Sequence, residues 1–250
     1  VLEDLSATPA VRVALVSGRA RDDLIARVGI DGIVYAGNHG LELGYGETTV
    51  VHPEAAQSRT TLKRLSDELD SALDDVPGCT VERKGVTSTV HFRGTPDDQT
   101  DDVISTVEQT ASTTDGIEVT SGKQIRELRP AVAWDKGRAM KLLDRSTPPG
   151  WRALYIGDDS TDEDAFRALQ PDGVGIRVFE DQSAEGSTET AATYRLCGQE
   201  AVPKLLSWFA ECFEERLQSD TTCDPWSTLF DSSKGRSDKS RNETLFNPTK

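Results

Sequence analysis

Cysteine is scarce, with four in 250 residues; methionine occurs once and histidine three times. Cys79, Cys197, Cys212 and Cys223 stand far apart, with no CxxC pair and no histidine cluster beside them. That spacing excludes a disulfide scaffold and a zinc site, so a reducing cytoplasm is the expected compartment. Aromatic residues make up 6% of the chain and hydrophobic residues 36%. No apolar run approaches the ~20 residues of a membrane span, and no signal-peptide core is visible. Positive charge is also short: Lys and Arg total 28 against 43 Asp and Glu, a net charge of -15. A surface this negative repels nucleic acid and anionic lipid, which removes both as expected partners.

The acid is spread through Asp22-Asp23, Asp74-Asp75, Asp97-Asp98 and Asp101-Asp102, and arginine outnumbers lysine about two to one. This composition resembles that of salt-adapted, halophilic proteins. One segment concentrates the charge differently. Leu154 to Ile156 is a short apolar run that predicts a buried strand; it ends at Gly157, and Asp158, Asp159, Asp162 and Asp164 follow. Thr161 to Leu169 then carries apolar residues at helical spacing. Carboxylates crowded at the carboxyl end of a strand repel one another unless a cation sits among them. Hard oxygen ligands beside an open cleft suit Mg²⁺, which keeps several waters and takes one or two protein carboxylates. Asp162 to Asp164 have a second reading, as acids that cap the first turn of a helix.

The length allows one large or two modest domains. Val11–Val16 and Ile33–Ala36 are strand candidates with an amphipathic helix between them. From residue 41 to 130 the pattern changes to alternating-face strands at 48–51, 80–83 and 89–92, with helices at 54–73 and 97–114, followed by 117–119 and 124–128. That block predicts a βαββαβ-like open-faced unit inserted into a larger domain. From Trp134 the βα alternation resumes, which predicts a parallel, doubly wound, Rossmann-like sheet with ligands at the carboxyl ends of its strands. The expected division is therefore a core of residues 1–40 and 131–218, a cap of 41–130, and a polar, disordered tail of 219–250.

Three separated elements would converge in such a fold. Ser17-Gly18-Arg19 ends a strand, where a hydroxyl and backbone N–H groups can hold a phosphate oxygen; alone it also reads as a plain βα turn. Lys136 opens the helix after the inserted block, a cation for phosphate or an ordinary solvated lysine. The Asp158–Asp162 cluster follows. In this order, phosphate hydroxyl, lysine and metal acids resemble the haloacid dehalogenase superfamily, and in closer detail its trehalose-6-phosphate phosphatase family. The likeness rests on Val16-Ser17-Gly18-Arg19, Ala36-Gly37-Asn38-His39-Gly40-Leu41-Glu42, Glu82-Arg83-Lys84-Gly85 and His91-Phe92-Arg93. Gly122-Lys123-Gln124-Ile125-Arg126-Glu127-Leu128-Arg129-Pro130, Trp134-Asp135-Lys136-Gly137 and Gly157 to Asp164 continue it.

The resemblance implies a haloacid-dehalogenase-type α/β core with an α+β cap that reads a disaccharide, and a phosphatase that uses Mg²⁺ in trehalose biosynthesis. Ser17 and Lys136 then hold phosphate, and Asp158, Asp159 and Asp162 serve the metal. Arg19, Glu82, Lys84, Arg93, Lys123 and Glu127 contact the substrate. Lys84 and Arg93 sit nine residues apart on strands, so a hairpin is expected to bring both to one face. The five in the cap, all but Arg19, are otherwise ordinary exposed charges of a capping sheet. His39, in its Gly-Asn-His-Gly setting, is expected to shape a loop. Ile125 departs from the family, which commonly carries a polar residue there. The superfamily's nucleophile lies in an N-terminal Asp-x-Asp-x-Thr, and none precedes Val11, so the sequence is expected to be an N-terminally incomplete copy of a longer protein. Two other functions stay open: a non-catalytic sugar-phosphate-binding module that regulates a trehalose-phosphate synthase partner, and a sister phosphatase for another sugar phosphate.

Overall fold

The structure is a computed structural model that describes residues 1–180, 189–218 and 247–248. In chain order it contains α1 (Leu2–Ala7), β1 (Ala14–Val16), α2 (Arg21–Val28), β2 (Val34–Gly37) and a 3-10 turn, Asn38–Gly40. Next come β3 (Glu42–Tyr45), β4 (Thr48–Val51), α3 (Pro53–Leu73), β5 (Thr80–Arg83), β6 (Ser88–His91) and α4 (Asp97–Ser112). Then follow β7 (Ile117–Gly122), β8 (Ile125–Pro130), α5 (Lys136–Arg145), β9 (Leu154–Gly157), α6 (Asp162–Leu169), β10 (Val174–Phe179), β11 (Tyr194–Cys197) and α7 (Ala201–Gln218). The chain divides into two compact units, one of Val1–Ala14, Ile30–Ile33 and Asp135–Lys250, the other of Leu15–Gly29 and Val34–Trp134. Stretches 15–29 and 34–40 thus fall in the same unit as the inserted block.

In the first unit β10 pairs parallel with β9 and with β11, Ile176 standing opposite Ile156 on one side and Tyr194 on the other. Five of its six residues are buried, as a parallel strand covered on both faces requires. Ile176, Val178, Leu196, Leu205, Phe209 and Leu5 form the core beneath it. Helices α5 and α6 approach closely: a Cβ placed on Gly137 would lie 2.3 Å from the Asp164 carbonyl oxygen. Gly137→Ala is therefore expected to lower stability by about 1–3 kcal/mol through overpacking, although alanine favours a helix by about 1 kcal/mol. The urea midpoint measures this; an unchanged or higher midpoint would show that the helices part freely.

The second unit contains the antiparallel sheet β5-β6-β8-β7. Leu62, Leu65, Leu69 and Leu73 recur on one side of α3, and Val103, Val107 and Ala111 on one side of α4. Both stripes pack on Val90, Phe92 and Leu128, which fixes the apolar face of the sheet. The other face is polar. Glu82 pairs with Thr89, Thr89 with Glu127, and Glu127 with Thr120, so these four form a row across the strands.

The expectation for Thr48–Val51 needs correction. Instead of opening the inserted sheet, β4 pairs antiparallel with β3 in a second sheet, β1-β2-β3-β4. β3 carries Gly44, a residue type that ordinarily weakens a strand interior. Gly44 is the place where the Arg21 side chain crosses the strand, since a Cβ there would meet Arg21 Nε at 1.9 Å. The tail expected over 219–250 lies outside the described residues, except Asn247–Pro248, which pair antiparallel with β11. No helix among the described residues is long and apolar enough to cross a membrane.

Candidate active site

The acidic loop is organised by its most buried member. Asp162, at the first position of α6, is 3% exposed. Its Oδ1 accepts from Lys136 Nζ at 2.6 Å and from the Tyr155 hydroxyl at 2.6 Å, and its Oδ2 accepts from the Asp159 N–H at 2.8 Å. Burial pushes the carboxyl upward, but the Lys136 ammonium and these hydrogen bonds outweigh it and hold the group below the ordinary range. Burial and then the adjoining Asp162 carboxylate push the Tyr155 phenol strongly upward, so it stays a donor. The loop can fold over in this way because residue 157 is glycine; a Cβ there would lie 2.4 Å from Asp162 Cγ. Lys136 is itself 7% exposed and is held at the start of α5, whose N-terminus Asp135 caps by accepting from the Arg138 N–H at 2.8 Å.

The three acids assigned to the metal therefore differ. Asp162 is engaged on both oxygens. Asp159 is exposed but turned onto its own loop: Oδ1 accepts from the Ser160 N–H at 2.6 Å and Oδ2 from Thr161 Oγ1 at 3.4 Å. Arg177 donates to its carbonyl. Asp158 is exposed, with Gln199 Nε2 3.2 Å from Oδ2. Among the described residues no cluster of three or more His, Cys, Asp or Glu is placed to hold a metal ion. This donor set fits a hard cation carried by one carboxylate, water and substrate oxygens, and does not fit a closed protein cage. Glu163, next in the segment, binds Thr190 Oγ1 and the Ala191 N–H, both at 2.7 Å, and acts as a staple within its unit.

In the other unit Ser17 follows β1 and its Oγ accepts from the Arg19 N–H at 3.2 Å. Arg19 points outward and pairs with Asp23 at 3.1 Å. Lys84 and Glu127 are brought together and buried: Lys84 Nζ donates to Glu127 Oε1 at 2.5 Å and to the Gly18 carbonyl at 2.9 Å. Glu127 Oε2 lies 3.2 Å from His39 Nε2, and Thr87 Oγ1 is 3.3 Å from Oε1. Burial raises the Glu127 carboxyl, yet the His39 hydrogen bond and the Lys84 charge outweigh it and hold the pKa at about 2, against an ordinary 4.5. Glu82 shares the polar row and pairs with His91 at 2.8 Å.

Lys84 and Arg93 are not brought to one place. The β5–β6 register puts Lys84 in the hairpin turn, bonded to the Thr87 carbonyl, and Arg93 beyond the far end, about 20 Å along the strand. The β6–β8 register, continued by Phe92 N–H to the Gln124 carbonyl, sets Arg93 opposite Lys123; both are exposed. The assigned substrate residues thus include a buried pair, Lys84 and Glu127, with the part-exposed Glu82 in the same polar row, and a separate exposed cation pair, Arg93 and Lys123. Tyr155, Asn38, His39 and Thr87 join these networks without having been assigned to them. Tyr155 had no separate signal, because a phenol in a short strand reads as core.

A family profile described as trehalose-phosphatase matches residues 1–200. The chain belongs to the trehalose-phosphatase family. A trehalose-phosphate phosphatase of Mycobacterium marinum is 38% identical over 189 residues, covering 74% of this chain and 48% of its own length. A Mycobacterium tuberculosis protein named as an uncharacterized glycosyl hydrolase is 38% identical over 227 residues, 87% of this chain and 16% of its own length. The chain therefore spans about half the length of the first relative and a small part of the second. Among solved structures, a trehalose-6-phosphate phosphatase related protein has a TM-score of 0.75 at 24% identity, covering 86% of both chains. The Candida albicans trehalose-6-phosphate phosphatase C-terminal domain has a TM-score of 0.65 at 23% identity, covering 84% of this chain and 81% of its own. The family's fold is of haloacid dehalogenase type, an α/β core with an inserted α+β cap, and the parallel β9-β10-β11 array and the polar-faced β5-β6-β8-β7 sheet are the corresponding parts here.

Proposed function

We propose that the chain serves in the Mg²⁺-dependent hydrolysis of trehalose 6-phosphate to trehalose and phosphate. The observation that carries this reading is the buried Lys136–Asp162–Tyr155 cluster, which fixes the loop and leaves Asp158 exposed at the end of β9. Asp158 is the residue that would hold Mg²⁺, with Asp162 orienting the loop and Asp159 closing it. When bound, the ion neutralises charge on the phosphoryl oxygens. Phosphoryl transfer depends mainly on positioning and charge neutralisation, which suits a site built from fixed donors.

Ser17 supplies a hydroxyl and Lys136 an ammonium for the phosphate. The cap, 41–130, reads the sugar together with Arg19 from outside it: carboxylates of Glu82 and Glu127 accept paired O–H bonds from vicinal hydroxyls, and Lys84, Arg93, Lys123 and Arg19 donate to the remaining oxygens. A trehalose-phosphate synthase is the partner that this chemistry suits, and the cytoplasm the compartment.

Phosphate release from trehalose 6-phosphate, with and without Mg²⁺, tests the reading. Turnover that disappears with the ion supports it; binding without turnover leaves the sugar-phosphate-binding module. Equal rates on glucose 6-phosphate would defeat the assignment of the cap. Lys123→Ala is expected to raise KM by about 10-fold or more with kcat little changed, the loss of one charge-assisted hydrogen bond of about 1.5–3 kcal/mol. Lys123 is exposed in a turn, so the variant keeps its fold, and an unchanged KM would remove the residue from the sugar site.

A further inference from the structure

His39 occupies an unusual backbone position. It has φ 59°, and Asn38 before it has φ 49°, so two successive residues that are not glycine lie in the left-handed region. Each such residue costs roughly 1–2 kcal/mol, and the arrangement persists only where the surroundings over-determine it. They do so here. Asn38 is fully buried: its Nδ2 donates to Glu42 Oε2 at 2.8 Å and to the Lys84 carbonyl at 2.9 Å, and its Oδ1 accepts from Thr87 Oγ1 at 2.8 Å. Its N–H donates to the Arg19 carbonyl at 2.7 Å, and the His39 N–H donates to the Ser17 carbonyl at 2.8 Å.

The result is a ring wedged between two parts of the same unit. His39 Nε2 lies 3.2 Å from Glu127 Oε2, and because an ionised carboxylate only accepts, Nε2 carries the proton. The same ring lies against Gly18, where a Cβ would be 2.7 Å from Nε2. Lys84 makes a parallel link, from Glu127 Oε1 to the Gly18 carbonyl. Two separate routes therefore join the Glu127 carboxylate to the Ser17–Gly18 turn, and each uses both a side chain and the backbone of that turn.

We infer that His39 is a positioning residue that couples sugar recognition at Glu127 to the placement of the phosphate-holding Ser17 turn. The inference rests on the proposed function for the roles of those two ends. A sugar hydroxyl that takes up Glu127 must rearrange its bond to His39 or to Lys84, and either change is felt at Gly18. In a network of this kind one ligand alters the affinity for the other, and by thermodynamic linkage the effect is reciprocal.

The test is calorimetric titration of the full chain with trehalose, in the absence and presence of saturating inorganic phosphate. In the wild type, phosphate is expected to change the trehalose Kd by about 5-fold or more, the lower end of ordinary coupling. His39→Ala should bind both ligands with the coupling reduced to about 2-fold or less, the part that the Lys84 link still carries. His39→Gln, whose amide N–H can reach Glu127 from the same side, should recover most of the coupling, which a residue that merely fills space would not require. If the alanine variant does not fold, Gly18→Ala serves instead, since its Cβ displaces the ring and should also uncouple the ligands. Wild-type coupling retained in His39→Ala or in Gly18→Ala would overturn the inference, as would independent binding of the two ligands by the wild type. Failure of the wild type to bind either ligand would instead remove the proposed function itself.

Discussion

Asp162→Asn is expected to lower the free energy of unfolding by about 3–5 kcal/mol, the cost of breaking a buried charge pair by removing one partner. The change is isosteric, so no cavity contributes. With its oxygen toward Lys136 and Tyr155, the new amide points its NH₂ at the Asp159 N–H, donor against donor. Flipped, it points NH₂ at the Lys136 ammonium and the Tyr155 hydroxyl, which both donate to this carboxylate in the native loop. Either way the Lys136 charge, 7% exposed, is left without a counter-charge. In a domain whose whole stability is ~5–15 kcal/mol, this is a large fraction.

The sharper form of the prediction is an asymmetry. Lys136→Met combined with Asp162→Leu removes both charges and leaves apolar groups of similar size, so the double variant should be more stable than Asp162→Asn alone. Phosphate release should not return with stability, because the ammonium assigned to the phosphate is gone and the loop carrying Asp158 has lost the bond that the Asp159 N–H donates to Asp162. Chemical denaturation at neutral pH measures each corner of the cycle. A loss below about 1 kcal/mol for Asp162→Asn would mean that water relieves the Lys136 charge, and the account of a dry cluster would fail.

What could be read in advance follows from which signals are local. The strand, loop and helix from Leu154 to Leu169 were legible because a short apolar run, a glycine and a helical stripe adjoin in sequence. The stripes of α3 and α4 were legible for the same reason, and they imply a sheet whose other face is polar. The pairing partners were not. Lys136 meets Asp162 across 26 positions, Lys84 meets Glu127 across 43, and His39 meets Glu127 across 88. Spacing along the chain says nothing about such contacts. Nor could it separate Asp158 from Asp159: adjacent residues in a loop have the same composition signal, and only backbone direction turns one outward and the other onto Ser160. The β4 strand failed for a related reason. Alternation shows that a segment is extended, but its partner is the strand just before it, β3, where Gly44 leaves room for the Arg21 side chain.

Acid should weaken the protein through Glu127 in a defined window. Its carboxyl is held at about 2 in the folded protein, against an ordinary 4.5. Between those values the unfolded chain binds a proton that the native state does not, so the contribution is fully present above pH 4.5 and is lost as pH falls from there toward 2. The size is about 3 kcal/mol, from 1.36 kcal/mol per pKa unit. Many other acids also protonate in this range, and relief of the -15 net charge acts in the opposite direction. Both effects are common to the wild type and to Glu127→Gln, so they cancel in the difference between the two. That difference also contains a constant part, the buried Lys84 charge that the amide leaves uncompensated. Only the slope reports the titration. Unfolding free energies of both proteins, measured from pH 7 down to the lowest pH at which they remain folded, should differ by a constant amount above 4.5 and converge below it. A difference that stays flat through that window would mean that Glu127 titrates as an ordinary carboxylate, and that His39 and Lys84 do not hold it.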